Sequence, residues 1–151
     1  MKPLLRSLAV LAATASFALA GSEGWLTDWE AAKAKSKAEN KPILINVTGS
    51  DWCGACMQLE KDVFSTAAFK DFAAGKVILM EADLPEKTKL PDALRKQNEA
   101  LEAKYVVEGF PTVLLLDAEG KKLSADMGDY EGDAAGFLKI LKEALAKVPA
   151  K

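Results

Sequence analysis

Two cysteines, Cys53 and Cys56, stand three residues apart where a strand-like run gives way to a helical pattern. That junction constrains the chain more than any other feature. Before it, residues 43–48 read Ile-Leu-Ile-Asn-Val-Thr, a short apolar run suited to a strand covered on both faces. Gly49 and Ser50 end the strand. After it, Met57, Leu59, Val63 and Phe64 give a helix one apolar side, and Met57 reads as a core residue. The cysteine pair therefore sits at the first turn of a helix that follows directly on a buried strand.

The rest of the chain extends this pattern. Thr27 and Glu30 match a capping box, so a helix is expected over 28–39, ended by Asn40 and Pro42. Ser65 or Thr66 reads as a fresh N-cap for a short helix to Ala74, stopped by Gly75. Residues 77–82 read as a second strand, and the charged stretch 83–91 as a loop. Residues 92–105 are rich in strong helix formers. A strand is expected over 112–116, a hairpin turn at 117–120, and a return strand over 122–127. Phe137, Leu141, Leu145 and Val148 mark one face of a last helix over 133–147. Helices interleaved with strands imply an α/β fold with parallel pairing, and the late hairpin adds an antiparallel edge.

The spacing of the two cysteines has a chemical reading. A thiolate attacks disulfides and a thiol does not. At an ordinary thiol pKa of about 8.5, roughly 3% is thiolate at pH 7. Lowering the pKa to about 7 requires about 2 kcal/mol. A helix N-terminus supplies about 0.3–1 kcal/mol, more when partly buried. Backbone N–H groups of the first turn and the second thiol can add hydrogen bonds to the first sulfur. At i and i+3 the sulfurs face each other across one turn. Cys53 is thus expected as the exposed nucleophile and Cys56 as the buried resolving thiol.

The N-terminus bears on where such chemistry takes place. Lys2 and Arg6 precede an apolar stretch, Leu8 to Ala20, that closes on Ala18-Leu19-Ala20. This is the layout of a secretory signal peptide cleaved after Ala20, leaving one domain over 21–151. The stretch is shorter than the roughly 20 residues of a membrane span, although an uncleaved anchor is the alternative. No cysteine follows the cut, so a lipid anchor is not indicated. Cleavage removes two of the 20 basic residues and none of the 22 acidic ones, leaving 18 against 22. Arg95 is then the sole arginine. That surface argues against nucleic acid, which selects clustered Lys and Arg. A periplasmic or secreted location, where disulfides persist, is the expectation.

The run Ser50-Asp51-Trp52-Cys53-Gly54-Ala55-Cys56 resembles the active site of thioredoxin-like proteins, and Gly109-Phe110-Pro111-Thr112 resembles their second signature. The resemblance is nearer to exported bacterial members, through the Trp-containing leading helix and the run Gln97-Asn98-Glu99-Ala100-Leu101. It covers about Trp25 to Val148. It implies a thioredoxin fold: a central mixed β-sheet flanked by helices. It also implies a cis peptide at Pro111 beside the cysteine pair, where an extended substrate segment adds as a strand. On this reading Cys53 and Cys56 are catalytic, and Trp52, Gly54, Ala55, Phe110 and Pro111 contact substrate. No metal and no further cofactor is implied. The partners are protein or peptide thiols and disulfides, with a membrane thiol transporter as electron donor, and the chain is expected to be a monomer.

The chain departs from the family in two places. The buried acid that many members carry in the strand before the active site falls, by spacing from Cys53, on Val47. Asn46 is adjacent but faces the other way. Glu81 on the neighbouring strand is a candidate substitute, against a plain surface role. The chain also has no histidine, whereas strongly oxidising relatives often place one between the cysteines, so a reducing or intermediate potential is expected. Asp51 reads either as a solvated acid or as a charge that raises the Cys53 pKa. Two further readings of the pair stand beside the redox one. It could handle Cu(I), although no histidine or third cysteine exists to complete a zinc site. The chain could also be a binding module in which the pair is a merely structural disulfide, although a bridge closing so short a loop contributes less stability than a longer one.

Overall fold

The computed structural model describes residues 22–148. The expected signal peptide and its cleavage point lie outside the described residues. The elements in chain order are α1 (Trp29–Glu39), β1 (Ile43–Thr48), α2 (Gly54–Leu59), a π-helical turn (Glu60–Phe64), α3 (Ala67–Lys76), β2 (Ile78–Asp83), α4 (Asp92–Tyr105), β3 (Thr112–Leu116) and α5 (Ala134–Ala146).

The sheet has the order β2-β1-β3. β1 pairs in parallel with β2, Ile43 opposite Ile78 and Asn46 opposite Glu81, and antiparallel with β3, Val47 opposite Thr112. β1 is buried along its whole length, as its composition requires. Alternation along it sends Ile43, Ile45 and Val47 toward α1 and α4, where they meet Trp29, Ala32, Leu101 and Tyr105. Leu44 points to the other side, into a core built from Leu59, Val63, Phe64, Phe69, Phe137 and Leu141. Asn46 and Thr48 continue that second face, on the side of α2.

The antiparallel direction enters earlier than expected, with β3 itself rather than with the hairpin after it. α4 runs down to the foot of β3, where the Tyr105 hydroxyl donates to the Gly120 carbonyl at 3.0 Å. The six residues 106–111 then climb back to the head of β1. Six extended residues reach about 20 Å, enough to span a five-residue strand of about 17 Å. β3 therefore starts at the end where β2 stopped.

The return strand over 122–127 is reduced to a single bridge, Leu116 with Lys122. Leu123 and Met127 donate backbone N–H groups to the carbonyls of Leu115 and Val113, both at 2.8 Å. The opposite bonds go to side chains: Leu115 N–H to Ser124 Oγ at 2.9 Å, and Val113 N–H to Asp126 Oδ1 at 2.8 Å. Ser and Asp side chains compete with backbone acceptors in this way, so the ladder is satisfied without a regular strand.

The helix caps shift slightly from expectation. Asp28, not Thr27, is the N-cap of α1, with Oδ1 accepting from Ala31 N–H at 2.8 Å. Thr66 caps α3 through Phe69 N–H, and that helix passes through Gly75 to Lys76. Met57 is 48% exposed rather than in the core. Cys56, Leu59 and Val63 hold the buried face at i, i+3 and i+7, and Met57 lies about 100° round from Cys56.

Candidate active site

The path from β1 to Cys53 is tied to the end of β2 and the loop after it by three consecutive residues. Ser50 donates its N–H and hydroxyl to the Asp83 carboxylate, at 2.9 and 2.6 Å. Asp51 accepts the backbone N–H groups of Glu86, Lys87 and Thr88, at 2.9, 2.9 and 2.7 Å. Trp52 donates Nε1–H to the Leu84 carbonyl at 2.8 Å. Burial pushes the Asp51 carboxyl up, but hydrogen bonds from Glu86, Thr88 and Lys87 outweigh it and hold the group below its ordinary range. Asp51 is thus neither simply solvated nor an unanchored charge beside Cys53. Gly49 allows the Trp52 ring to fold back over the backbone, since a Cβ there would lie 2.3 Å from Cε2 of that ring.

Cys53 is the N-cap of α2, and its Sγ accepts the Cys56 N–H at 3.1 Å. The two sulfurs form a disulfide, with Cα atoms 5.2 Å apart. Cys53 is 6% exposed and Cys56 5% exposed, so in this oxidised state overall exposure does not separate the expected nucleophile from the resolving thiol. Gly54 and Ala55 are exposed on the first turn of α2. The helix loosens into its π turn one residue after Leu59, and the widened turn still buries Val63 and Phe64 against Phe69 and Phe137.

The second motif reaches the same end of the sheet. The Phe110–Pro111 peptide is cis, and Pro111 is buried. The Phe110 ring packs edge-on against Trp52, centroids 5.2 Å apart at 67°. Thr112 Oγ1 donates to the Gly109 carbonyl at 2.9 Å and closes the loop. Gly128 supports it from behind: a Cβ there would stand 2.1 Å from the Pro111 carbonyl oxygen. Sequence reasoning gave Gly128 no role, because 17 residues separate it from Pro111.

A cavity of about 200 Å³ lies behind Cys56. Its lining includes Ser22, Asn46, Thr48, Glu60 and Glu81. Val47, where family spacing puts an acid, instead faces α1 and α4. Of the two β1 residues that share the cavity with Cys56, Asn46 and Thr48, Asn46 stands opposite Glu81 in the register. Its Oδ1 is buried and has no hydrogen-bond partner among the described residues. Glu81 carries two bonds from Ser22, from the hydroxyl at 2.8 Å and the N–H at 3.5 Å. Burial and the charge of Asp83 raise its pKa, and the Ser22 bonds partly offset this. Glu60 is raised by burial and by the charge of Glu81, with Lys70 opposing. Sequence reasoning named Glu81 but missed Ser22 and Glu60. No group of three or more His, Cys, Asp or Glu stands together as a metal site among the described residues.

A disulfide-bonded cysteine pair at a helix start, beside a buried cis-proline loop, on a β2-β1-β3 mixed sheet is what the geometry presents. Residues 24–118 match the family model described as thioredoxin-like. The chain belongs to the thioredoxin-like family. Among relatives of this thioredoxin-like chain, disulfide bond reductase DsbH of Chlamydia pneumoniae is 39% identical over 120 residues, which is 78% of this chain and 72% of that protein. Thioredoxin-related protein DsbJ of the same organism is 31% identical over 99 residues, 66% of this chain but 28% of that protein. The thiol:disulfide interchange protein DsbD of Pseudoalteromonas atlantica is 30% identical over 120 residues, 19% of its length. The solved structure of DsbH oxidoreductase superposes with a TM-score of 0.76 at 36% identity, covering 93% of this chain and 95% of that one. The C-terminal domain of Neisseria meningitidis DsbD, at 17% identity and TM-score 0.57, shares the fold. The chain is a thiol–disulfide oxidoreductase.

Proposed function

We propose that the chain works in the reducing direction, as a reductase or isomerase of disulfides in exported proteins. The observation that carries this is the placement of Cys53. Its sulfur already accepts a first-turn N–H, the arrangement that stabilises a thiolate. Beside it, the Trp52–Phe110 pair leads to the Pro111 loop. The name of the DsbH relative, a disulfide bond reductase, supports the direction.

In this reading the Cys53 thiolate attacks one sulfur of a substrate disulfide and expels the other as a thiolate. A mixed disulfide links Cys53 to the substrate. Cys56, as thiolate, then attacks the Cys53 sulfur, forms the Cys53–Cys56 bond and releases the second substrate thiol. Two electrons pass from the dithiol to the substrate. Trp52, Gly54, Ala55, Phe110 and Pro111 form the contact surface, and the backbone at Pro111 pairs with an extended segment of the substrate. The pair needs no further cofactor. A signal peptide ending at Ala20 delivers the monomer to the periplasm, where a membrane thiol transporter reduces it again.

The test is a Cys56→Ser variant exposed to oxidised periplasmic proteins. Mixed disulfides on Cys53 are expected, visible by non-reducing electrophoresis and lost on adding dithiothreitol. Absence of any such adduct, with Cys53 titratable as a free thiol, would sink the proposal.

A further inference from the structure

The dithiol cycle requires Cys56 to lose a proton each time it resolves a mixed disulfide, and the residue that takes it is not in β1. Val47 is apolar and faces the α1 and α4 side. The groups that share a cavity with Cys56 are Asn46, Thr48 and Ser50 from the β1 end, Glu60 and Lys61 from the helical turn, Glu81 from β2, and Ser22 from the segment before α1. At about 200 Å³, and with the side chains of Asn46, Glu60 and Glu81 among those lining it, the space is large enough for water to connect these groups.

Two observations single out Glu81 among these groups. Its carboxylate is fixed in place: Ser22 donates to both oxygens. Ser22 is in turn held by Trp25, whose N–H reaches the Ser22 carbonyl at 2.9 Å and whose ring packs on Phe64 and Phe69. Glu81 is also the register partner of Asn46. Asn46 Oδ1 is an acceptor lacking a donor among the described residues. A protonated Glu81 carboxyl would supply, directly or through water, the donor that oxygen lacks.

We infer that Glu81, positioned by Ser22, exchanges the proton with Cys56 across this cavity, in place of the acid that related chains carry in the preceding strand. The inference rests on the dithiol cycle proposed above. In the resolving step the Cys56 thiol gives its proton to the Glu81 carboxylate, by way of cavity water. The Cys56 thiolate attacks the Cys53 sulfur of the mixed disulfide, the Cys53–substrate bond breaks, and the substrate sulfur leaves as a thiolate. That thiolate is protonated from Glu81 or from solvent, which restores the carboxylate when Glu81 is the donor.

The charges around Glu81 suit this role. Burial, and to a smaller extent Asp83 on its own strand, make it a stronger proton holder than an ordinary Glu, which brings it nearer to a thiol. Glu60, across the cavity, is held up by the Glu81 charge and by burial, so the two acids resist ionising together. Lys70, which pairs with Glu23 at 3.0 Å, acts on Glu60 in the opposite sense. Lys61 is exposed at the rim.

The test follows the second turnover step alone. The fully reduced protein is mixed with an aromatic disulfide that releases a coloured thiolate, first on attack by Cys53 and again when Cys56 resolves the adduct. The rate of the second release is measured from mildly acid to alkaline pH in wild type, Glu81→Gln, Glu60→Gln and Ser22→Ala. Wild type should hold a fast plateau at neutral pH. In Glu81→Gln the plateau should vanish, with the second release slowed by about 10²-fold at pH 7. The rate should recover at pH values above the ordinary thiol pKa of about 8.5, where Cys56 ionises unaided. Ser22→Ala removes the hydroxyl donor to the carboxylate and keeps the backbone one, so the acid edge of the plateau should move to higher pH with its height kept. Glu60→Gln should keep the plateau.

A Glu81→Gln profile identical to wild type overturns the inference, and so does loss of the plateau in Glu60→Gln alone. Should Glu81→Gln not fold, the Ser22→Ala shift and a wild-type carboxyl titration by NMR decide. A Glu81 pKa that is the same in reduced and oxidised protein, together with an unmoved Ser22→Ala edge, overturns it. A wild type that gives no first release overturns the dithiol cycle itself, a result distinct from the loss of the second release.

Discussion

Gly128→Ala is the sharpest test of how the cis-proline loop is held. The added Cβ would stand 2.1 Å from the Pro111 carbonyl oxygen, 2.7 Å from its carbon and 3.0 Å from the Thr112 Cα. Side-chain carbons essentially never come within 3.0 Å of such atoms, so Pro111 and Gly128 must part by about 0.9 Å. No flexible side chain can absorb this, because all three neighbours are backbone atoms. Overpacking of this kind costs about 1–3 kcal/mol, and a rigid neighbour puts this site at the upper end. For a domain of this size the loss lowers Tm by about 10 °C. The shift also moves the Pro111 backbone relative to the disulfide, and a displacement near 1 Å can cost about 10²-fold in rate. The assay compares two substrates: a small disulfide, which on the proposed mechanism needs only Cys53, and a protein disulfide, which on that mechanism also uses the loop. The variant should keep most of its rate on the first and lose about 10²-fold on the second. Wild-type Tm with wild-type turnover of the protein substrate would refute the reasoning.

Three further outcomes follow from the same structure. Asp51→Asn weakens the acceptor for the amides of Glu86, Lys87 and Thr88, so hydrogen exchange at those three amides should accelerate while the core of β1 stays protected. Because the Asp51 pKa is depressed on folding, its contribution is fully present above the ordinary Asp value of about 3.9 and lost as pH falls through the lower, folded value; the exchange difference between wild type and variant should narrow over that acid range. Glu81 shows the opposite sign: its folded pKa is raised, so its contribution declines as pH rises from the ordinary Glu value of about 4.3 through the folded value. Glu81→Gln should accordingly flatten the decline in urea midpoint over that window, and an unchanged slope would count against a buried carboxyl. Phe137→Ala empties a fully buried site that touches Phe64, Phe69 and Tyr130; a loss of about 3–5 kcal/mol in urea unfolding is expected, with the reduction potential of the cysteine pair unmoved.

Local chemistry made much of this fold legible in the sequence. β1, β3 and α4 take the expected bounds because each is a clean run, apolar for the strands and rich in helix formers for α4. Cys53 as the start of a helix, and Pro111 in a cis peptide, were readable from two short motifs. What escaped was set by distance along the chain. The direction of β3 depends on how far residues 106–111 reach, which no periodicity records. The bonds from Ser124 and Asp126 to β3 turn an expected strand into a bridged segment. The cavity behind Cys56 draws on Ser22 and Glu81, 59 residues apart, and Ser22 carries no local signal that joins it to Glu81. Val47 shows the limit of counting positions: spacing from Cys53 alone does not say which side of the strand the cavity lies on.

The side-chain bonds along β3 bear on how such a protein coexists with its substrates. Val113 and Leu115 have both their outward N–H and C=O groups engaged by the 123–127 segment. On the far rim, Leu26 bonds to β2 through the Leu79 carbonyl and the Glu81 N–H, at 2.9 and 2.8 Å. An open rim is a template on which a loose chain can build another strand. Such a rim would let exposed segments of other chains pair there, which is a route to aggregation. Here the rims are sealed over these stretches by pieces of the same chain, so a passing polypeptide finds no growing edge at β3 or beside Leu26.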